Sequence, residues 1–385
     1  MIGDERVVIG SEHPGSLGTD RGSMSAPSQS SRNTTSSLAA AGCSCAALVI
    51  SFLGLAQFDL PITKYVRSVT IHLPWDQLTV PWMAFTSNAG DWIGEGWHLV
   101  AVSILLLVGA WAYERPTVKI VAIQSLIAHG IAALLANGMK HLIGRPRPKF
   151  VHSGDWQMTL SWASGLDSFP SGHSTASFAV ATVLAKQFPL FGPLCIAIAL
   201  FVALSRVLRG SHFPTDVLGG AVIGILSGFI ATAPLREWRT SIQDGLRHAA
   251  MGSSTVFALL WVLSRRMEDG MVGILFLALG AGAVAGGLWI RRTHWICRGG
   301  PGGSRHSHTS SLLIVYGLAA MTTSPLVLSS VGFACMASWL DAIGRNDDRA
   351  EESPGWSVMR ESALIGGVAL AILILIDARG VLPFQ

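Results

Sequence analysis

The sequence predicts an all-α, polytopic membrane helix bundle, and three observations support this fold class. Half of the 385 residues are hydrophobic and only 13% are charged, whereas a soluble domain averages roughly a quarter charged residues. Apolar stretches close to the ~20 residues that cross a bilayer as a helix recur along the chain. Basic residues collect in alternate loops, which is typical of an orientation signal. An ordinary soluble protein is therefore excluded.

Six spans are expected in the first part of the chain. Residues 1–36 are rich in Ser, Gly, Thr and Asn and are predicted to form a disordered cytoplasmic tail. Residues 60–94 are too polar to span and contain Trp75, Trp82 and Trp92. Because tryptophan prefers the headgroup zone, we expect this stretch to lie along the membrane surface. The predicted spans cover about residues 37–58, 95–113, 117–139, 174–188, 190–209 and 216–234.

A second apolar block, residues 236–385, is expected to add about four C-terminal transmembrane helices. The third candidate, 311–340, is longer than one span needs. Pro325 near its middle is expected to kink it or to divide it into a re-entrant pair. The sequence indicates no role for this block. The candidate spans are 249–264, 270–290, 311–340 and 361–376.

The charges of the loops predict ten spans with both termini in the cytoplasm. The loops expected inside contain Arg115, Lys119, Lys186, Arg236, Arg239, Arg247, Arg291, Arg292, Arg298 and Arg305. The loop expected outside after the long span contains Asp341, Asp347, Asp348, Glu351 and Glu352. The net charge of +4 is modest and no block of Lys and Arg occurs, so a nucleic-acid partner is not expected. The five cysteines are too few and too scattered for a disulfide framework or a Cys-rich metal site.

Three short segments interrupt the apolar pattern with basic residues and histidines. They are residues 140–148, 168–174 and 205–216. Under the predicted topology the first follows the third span, the second opens the fourth span, and the third joins the fifth and sixth spans. All three then lie at the outer face of the membrane. Segments that are distant in sequence are therefore expected to form one pocket.

The basic residues of these segments predict a bound phosphoryl group. Lys140, Arg147 and Arg206 are predicted to lack an equal set of nearby acidic residues, and a cation at membrane depth is costly without a partner. Guanidinium groups match phosphate oxygens in a bidentate arrangement. Ser171 and Gly172 precede an expected helix start, where unpaired backbone N–H groups and the helix dipole favour an anion.

Two histidines and one carboxylate are the candidate catalytic groups. His212 and Asp216 are four residues apart, a spacing that lets the carboxylate orient one ring nitrogen while the other attacks phosphorus. His173 opens the fourth span and is placed to protonate the leaving oxygen. Arg145 and Arg209 lie beside the segments, and we expect them to contact a headgroup or an anionic lipid.

The three segments resemble the motifs of the type 2 phosphatidic acid phosphatase (PAP2) superfamily. Those motifs are Lys-x6-Arg-Pro, Pro-Ser-Gly-His and Ser-Arg-x5-His-x3-Asp, and no fixed position departs from them. The resemblance covers roughly residues 40–235. It implies a six-helix PAP2-like phosphatase core, here residues 37–235, and a mechanism without metal or cofactor. It assigns His212 as nucleophile, His173 as acid and base, Asp216 as the orienting carboxylate, and Lys140, Arg147, Arg206, Ser171 and Gly172 as phosphate-binding residues.

The expected function is that of an integral-membrane phosphatase. The resemblance implies a lipid-linked phosphate or diphosphate as substrate, of the undecaprenyl diphosphate, phosphatidylglycerophosphate, phosphatidate or lipid A type. Membrane lipids are the other expected partners, and the expected location is a bacterial cytoplasmic (inner) membrane with the site facing outward. Two alternatives stay open: a lipid phosphotransferase that uses the same site, and a non-enzymatic transporter or scaffold on this fold. The oligomeric state is not predicted.

Overall fold

The computed structural model describes residues 34–71, 81–151, 160, 162–163, 165–263, 270–298 and 305–344. Within these ranges the regular structure is entirely helical, which confirms the predicted all-α class. The helices are α1 (Thr34–Ile71), α2 (Pro81–Gly94), α3 (Gly96–Ala112), α4 (Pro116–Ile143), α5 (Gly172–Gln187), α6 (Gly192–Leu208), α7 (Pro214–Ala231), α8 (Trp238–Leu263), α9 (Met271–Arg298), α10 (Arg305–Ala320) and α11 (Pro325–Gly344).

Several of these helices are suited to crossing a membrane. Five described helices are long and apolar enough, namely α1, α4, α7, α9 and α11. The pair α2 and α3, bent by 54°, makes a sixth if it is one broken span. The predicted multi-pass membrane protein is confirmed. The predicted spans 174–188 and 190–209 correspond to the shorter helices α5 and α6. The predicted span 249–264 lies in the 26-residue α8, which is not among these five helices. The predicted span 361–376 lies outside the described residues.

The stretch 311–340 is divided, which was one of the two outcomes expected there. The expectation that Asp341 lies outside while Arg247 lies inside is wrong, because the two side chains form an ion pair. Helix α10 ends at Ala320 and α11 begins at Pro325. Proline has no N–H group to continue a helix but suits the first helical turn. Of the predicted tail, residues 1–33 lie outside the described residues, and its last three residues begin α1.

The prediction that residues 60–94 lie along the membrane surface is wrong for their first part. Helix α1 continues through Pro61, and the apolar span within it reaches Ser68. Arg67 near its end donates hydrogen bonds to the carbonyl oxygens of Pro148 (2.6 Å) and Val151 (3.2 Å). The guanidinium of Arg67 is therefore bound by carbonyl oxygens of the protein. Trp75 lies outside the described residues.

The last part of the same stretch, α2, packs directly against α6. Gly90 and Gly94 lie one helical turn apart on the side that faces α6. A Cβ on Gly90 would overlap the Ser205 side chain, and a Cβ on Gly94 would overlap Val202. Small residues let two helix backbones approach closely. Helix α2 is thus part of the bundle, at the same end as the polar segments.

Glycines also set the register between α5 and α7. A Cβ on Gly220 would lie 2.6 Å from the carbonyl oxygen of Ser171, and a Cβ on Gly228 would lie 2.6 Å from Cβ of Thr182. Gly224, between them, meets the α5 backbone equally closely. This small-residue seam fixes the start of α5 beside the start of α7, where His173 and His212 are found.

The described C-terminal helices pack against the first part of the chain. Helices α8 and α11 both contact α1, and α8 also contacts α7. Phe257 of α8 and Val327 of α11 are fully buried against Leu55 and Phe58 of α1. Hydrogen bonds between hydroxyl groups also join these helices. Such interhelical bonds contribute about 0.6 kcal/mol each in membranes. The three hydroxyls are those of Ser51, Ser254 and Ser330, with Ser330 Oγ 2.7 Å from each of the other two.

Candidate active site

The residues predicted to form the site lie at one end of the bundle. They come from the last turn of α4, the segment after it, the first turn of α5, the last turn of α6, the loop after α6, and the first turn of α7. In chain order they are Lys140, Arg147, Ser171, Gly172, His173, Arg206, His212 and Asp216. The three segments are thus brought together as the sequence predicted.

The ring of His212 is buried and held in one orientation. Its Nδ1 lies 2.8 Å from the carbonyl oxygen of Ser168, and the side chain is 3% exposed. A carbonyl oxygen only accepts hydrogen bonds, so Nδ1 carries the hydrogen in the neutral ring. The lone pair is then on Nε2. This is the tautomer that a nucleophile needs when Nε2 is the attacking atom.

The carboxylate of Asp216 orients His212 less directly than the sequence suggested. Its Oδ2 is 3.8 Å from Nδ1 of His212, beyond hydrogen-bond range. The same Oδ2 accepts hydrogen bonds from Ser168 Oγ (2.6 Å) and from the Phe213 backbone N–H (2.8 Å). Asp216 therefore caps α7 and also fixes the residue whose carbonyl holds the imidazole. The predicted direct contact is replaced by contact through Ser168.

Arg145 is buried, so the expectation that it contacts a lipid headgroup is wrong. Its side chain is 3% exposed and pairs with Asp216 and with Asp59, whose Oδ2 is 2.8 Å from Nη2. Thr215 also donates its backbone N–H to Asp59 Oδ1 at 3.0 Å. The sequence analysis missed Asp59. Its signal was an acidic residue at the end of an apolar stretch, since ionisable groups at membrane depth are usually functional.

Arg147 is not the unpaired cation that its local sequence suggested. Its Nε and Nη2 donate to the two carboxylate oxygens of Asp167 at 2.8 and 2.5 Å. These hydrogen bonds from Arg147 hold the pKa of Asp167 below its usual value of 3.8, so the carboxylate is charged. Asp167 lies in the loop before α5, twenty residues from Arg147. Sequence separation hid this partner.

Arg206 also has a carboxylate partner, Asp91 of α2. Nη1 of Arg206 and Nη1 of Arg209 donate to opposite oxygens of Asp91. Among the described residues, Nε of Arg206 is buried without a hydrogen-bond partner. Arg209 is partly exposed and lies at the site, where the sequence analysis placed it only beside a lipid. The prediction that the basic residues lack nearby acids is therefore wrong for both Arg147 and Arg206.

Lys140 and the start of α5 lie close together. Nζ of Lys140 is 3.6 Å from the position that a Cβ on Gly172 would take. Helix α5 begins at Gly172, slightly earlier than expected, so Gly172 is its first residue instead of preceding it. However, the backbone N–H of Ser171 donates to the carbonyl oxygen of Asp216 at 3.0 Å. It is therefore not one of the unpaired N–H groups that the sequence analysis counted for anion binding.

The arrangement is suited to a bound anion flanked by two imidazoles. Lys140, Arg147 and Arg206 lie close enough to repel one another electrostatically. In the described part of the chain, no group of three or more His, Cys, Asp or Glu side chains is arranged to hold a metal ion. The cations and the lone pair of His212 are groups that can contact a phosphoryl ligand.

Comparison with known proteins gives matches over the same region. The family model of the PAP2 superfamily matches residues 121–239. A lipid A 1-phosphatase of Rhizobium etli is 32% identical over 185 residues, 45% of this chain and 75% of that protein. A decaprenylphosphoryl-5-phosphoribose phosphatase of Mycobacterium tuberculosis is 33% identical over 152 residues, 39% and 79% of the two chains. The crystal structure of a PAP2-type phosphatidylglycerolphosphate phosphatase from Bacillus subtilis aligns with a TM-score of 0.36 and 26% identity, covering 49% and 93%.

Proposed function

The chain belongs to the PAP2 superfamily, and on that premise we propose that it hydrolyses a lipid phosphate or lipid diphosphate through a phosphohistidine on His212. The two relatives described above are phosphatases, and their names place the phosphate on a lipid or on a lipid-linked sugar. This chain has the apolar helices of a membrane enzyme. The proposed substrate class is therefore an amphiphile that carries a terminal phosphate or diphosphate.

The observation that carries the proposal is the hydrogen bond between His212 Nδ1 and the Ser168 carbonyl oxygen. It leaves Nε2 as the nucleophile. In the first step Nε2 of His212 attacks phosphorus, and the bond from phosphorus to the leaving oxygen breaks. His173 donates a proton to that oxygen. In the second step His173 takes a proton from water, whose oxygen attacks phosphorus and releases phosphate from Nε2.

The basic residues bind the phosphoryl group in this proposal. The transferred group carries charge on its equatorial oxygens in the transition state, and positioned donors stabilise that charge. Nε of Arg206, which has no partner among the described residues, is one such donor. Arg147 and Lys140 supply the others. Asp167 and Asp91 neutralise part of this positive charge when no phosphate is bound, which supports an enzyme that releases its product.

The proposed location is a bacterial cytoplasmic membrane with the site at the outer face. The support is the distribution of Lys and Arg among the loops, which favours an outer position for the ends of α4 and α6 and the starts of α5 and α7. An outward site fits a substrate whose phosphate lies in the outer leaflet. A cysteine introduced in the loop at 210 and labelled by an impermeant reagent in intact cells tests this placement.

Phosphate release from a panel of lipid mono- and diphosphates tests the proposed function. The purified protein in detergent is expected to release phosphate from at least one member of the panel, equally with and without a chelator. Adding lipid and sugar alcohols as acceptors separates hydrolysis from phosphotransfer, since transfer yields a phosphorylated acceptor instead of free phosphate. Binding of lipid phosphate without turnover of any panel member would contradict the proposal and favour a scaffold.

The tautomer and charge of His212 give a direct spectroscopic prediction. Burial lowers the pKa of His212 below its usual value of 6.5, although Asp216 opposes the shift. A lowered pKa keeps the ring neutral as the pH falls through 6.5. Histidine-selective ¹⁵N NMR in detergent is expected to show a neutral His212 ring at pH 6.5 with the hydrogen on Nδ1. The signal is assigned by its loss in His212→Asn. A ring that becomes charged at or above pH 6.5 would contradict the prediction.

A further inference from the structure

Asp91 lies among the basic residues of the site, although it is outside the three motifs that predicted the site. Its Oδ1 accepts a hydrogen bond from Arg206, and its Oδ2 accepts one from Arg209. The same Oδ1 lies 3.3 Å from Nε2 of His173. One carboxylate thus contacts two guanidinium groups and the proposed acid.

Two features fix the position of this carboxylate. The glycines on either side, Gly90 and Gly94, bring α2 against α6, and a Cβ on Gly94 would come within 3.3 Å of the His173 ring. Arg206 and Arg209 then bind one oxygen each, so the plane of the carboxylate is set from both sides. Charge-assisted bonds of this kind are stronger than neutral ones. Asp91 is therefore presented to His173 by rigid elements.

His173 needs such a neighbour. Its Nε2 is buried, and among the described residues it makes no hydrogen bond of good geometry. Apart from Asp91, the charged and titratable groups that act on the ring are Arg206, Lys140 and His212. All three oppose a positive charge on His173. Asp91 is the one acidic group among these neighbours.

We propose that Asp91 is a positioning residue for the general acid, holding Nε2–H of His173 and stabilising its imidazolium form. This inference rests on the proposed function. With Nε2 bound to the carboxylate, Nδ1 is the nitrogen that exchanges a proton with the substrate. The arrangement parallels a catalytic triad, in which a carboxylate on one ring nitrogen sets the tautomer and supports the charge that forms.

The proton balance of the first step is then complete. For this step His173 has to be the imidazolium, with Nε2–H on Asp91 and Nδ1–H towards the leaving oxygen. Burial of the ring opposes that form, so in this proposal the carboxylate of Asp91 and the negative charge of the bound phosphate together support it. As the bond between phosphorus and Nε2 of His212 forms, the bond between phosphorus and the leaving oxygen breaks. The proton on Nδ1 of His173 passes to that oxygen, and His173 becomes neutral. In the second step Nδ1 accepts a proton from the attacking water. Asp91 stays ionised throughout and does not take the proton.

A pair of substrates that differ in their leaving group separates this role from others. A long-chain alkyl phosphate has a poor leaving group, which needs a proton from the general acid. A nitrophenyl phosphate whose ring carries an alkyl chain of the same length has a good leaving group, which does not. A general acid contributes roughly 10²–10⁴-fold. We expect Asp91→Asn to lower kcat/KM by about 30-fold on the alkyl phosphate and by less than about threefold on the nitrophenyl phosphate, because kcat/KM reports the first chemical step.

Asp91→Glu is the companion variant. Glutamate keeps the charge but is larger than aspartate. If the charge of Asp91 matters, Asp91→Glu is expected to have a higher kcat/KM on the alkyl phosphate than Asp91→Asn. If Asp91 only fills space, its kcat/KM is expected to be lower than that of Asp91→Asn. The control is Asp341→Asn, which removes a carboxylate that pairs with Arg247 on α8, away from the site. Its kcat/KM is expected to stay within about twofold on both substrates, because substitutions at distant, independent sites act separately.

Equal losses on the two substrates would overturn the inference, since Asp91 would then act through Arg206 or through the fold. Unchanged activity of Asp91→Asn on both substrates would overturn it as well. Failure of the proposed function has a different signature. In that case the wild type releases no phosphate, or His173→Ala shows no preference for the better leaving group.

Discussion

Alanine in place of His212 is expected to lower kcat by about 10⁴-fold or more, to the level of the uncatalysed background. Removal of a nucleophile that forms a covalent intermediate eliminates the reaction path, and the loss in comparable enzymes is of this size or larger. The Ser168 carbonyl and Asp216 stay in place, so the fold around the vacated position is retained by their contacts with each other and with α7. Steady-state phosphate release in detergent measures the effect.

His129→Ala is the matched control for that variant. His129 is a residue of α4, and its ring lies beside Gly96 at the start of α3. Along the axis of α4, at 1.5 Å per residue, it is about 16 Å from Lys140. Its loss is expected to change kcat by less than about threefold. His212→Asn, which keeps a polar side chain near the Ser168 carbonyl, is expected to be as inactive as the alanine variant. Residual turnover within tenfold of wild type in either His212 variant would refute the nucleophile assignment.

Replacing Arg145 by methionine is expected to reduce the free energy of unfolding by about 3–5 kcal/mol, the cost of leaving buried charges without a partner. Arg145 pairs with Asp59 and Asp216, both fully buried, so its removal leaves two carboxylates facing each other. Activity is expected to fall as well, because Asp216 orients the Ser168 carbonyl that holds His212. Reversible unfolding in mixed micelles measures the stability.

The double variant Arg145→Met/Asp59→Asn tests the cause. Removing one of the two carboxylates relieves part of the uncompensated charge, so the double variant is expected to be more stable than Arg145→Met alone. The comparison is Arg209→Met, whose guanidinium is 38% exposed and whose loss is expected to cost less than about 1 kcal/mol. Similar stability losses for Arg145→Met and Arg209→Met would show that Arg145 is not part of a buried ion network.

The helices and site residues that were predicted correctly are those marked by a short, contiguous stretch of sequence. Apolar runs of the right length gave α3, α4, α6 and α7 to within a few residues. Pro325 indicated a break in the helix because proline cannot donate a backbone hydrogen bond, which is a local property that the sequence shows directly. The three motifs placed both histidines, Asp216 and the cations at one end of the bundle, since each motif sits at a helix end.

The acidic residues of the site were missed because their partners are far away in sequence. Asp59 meets Arg145 across 86 positions, and Asp91 meets Arg206 across 115. A charge looks unpaired when only its neighbours in sequence are read, and the cluster was therefore taken to be more basic than it is. The same lack of long-range information hid the continuation of α1, in which Arg67 is satisfied by the loop after α4.

A rapid-quench experiment with a radiolabelled lipid phosphate tests the central claim most directly. Wild-type protein mixed with substrate and quenched at high pH is expected to carry one acid-labile phosphate, located by mass spectrometry on His212. His173→Ala is expected to accumulate more phosphohistidine with a nitrophenyl substrate, because hydrolysis of the phosphohistidine by water then lacks its general base. Turnover with no phosphate on His212 at any quench time, or with phosphate on a different residue, would contradict the account.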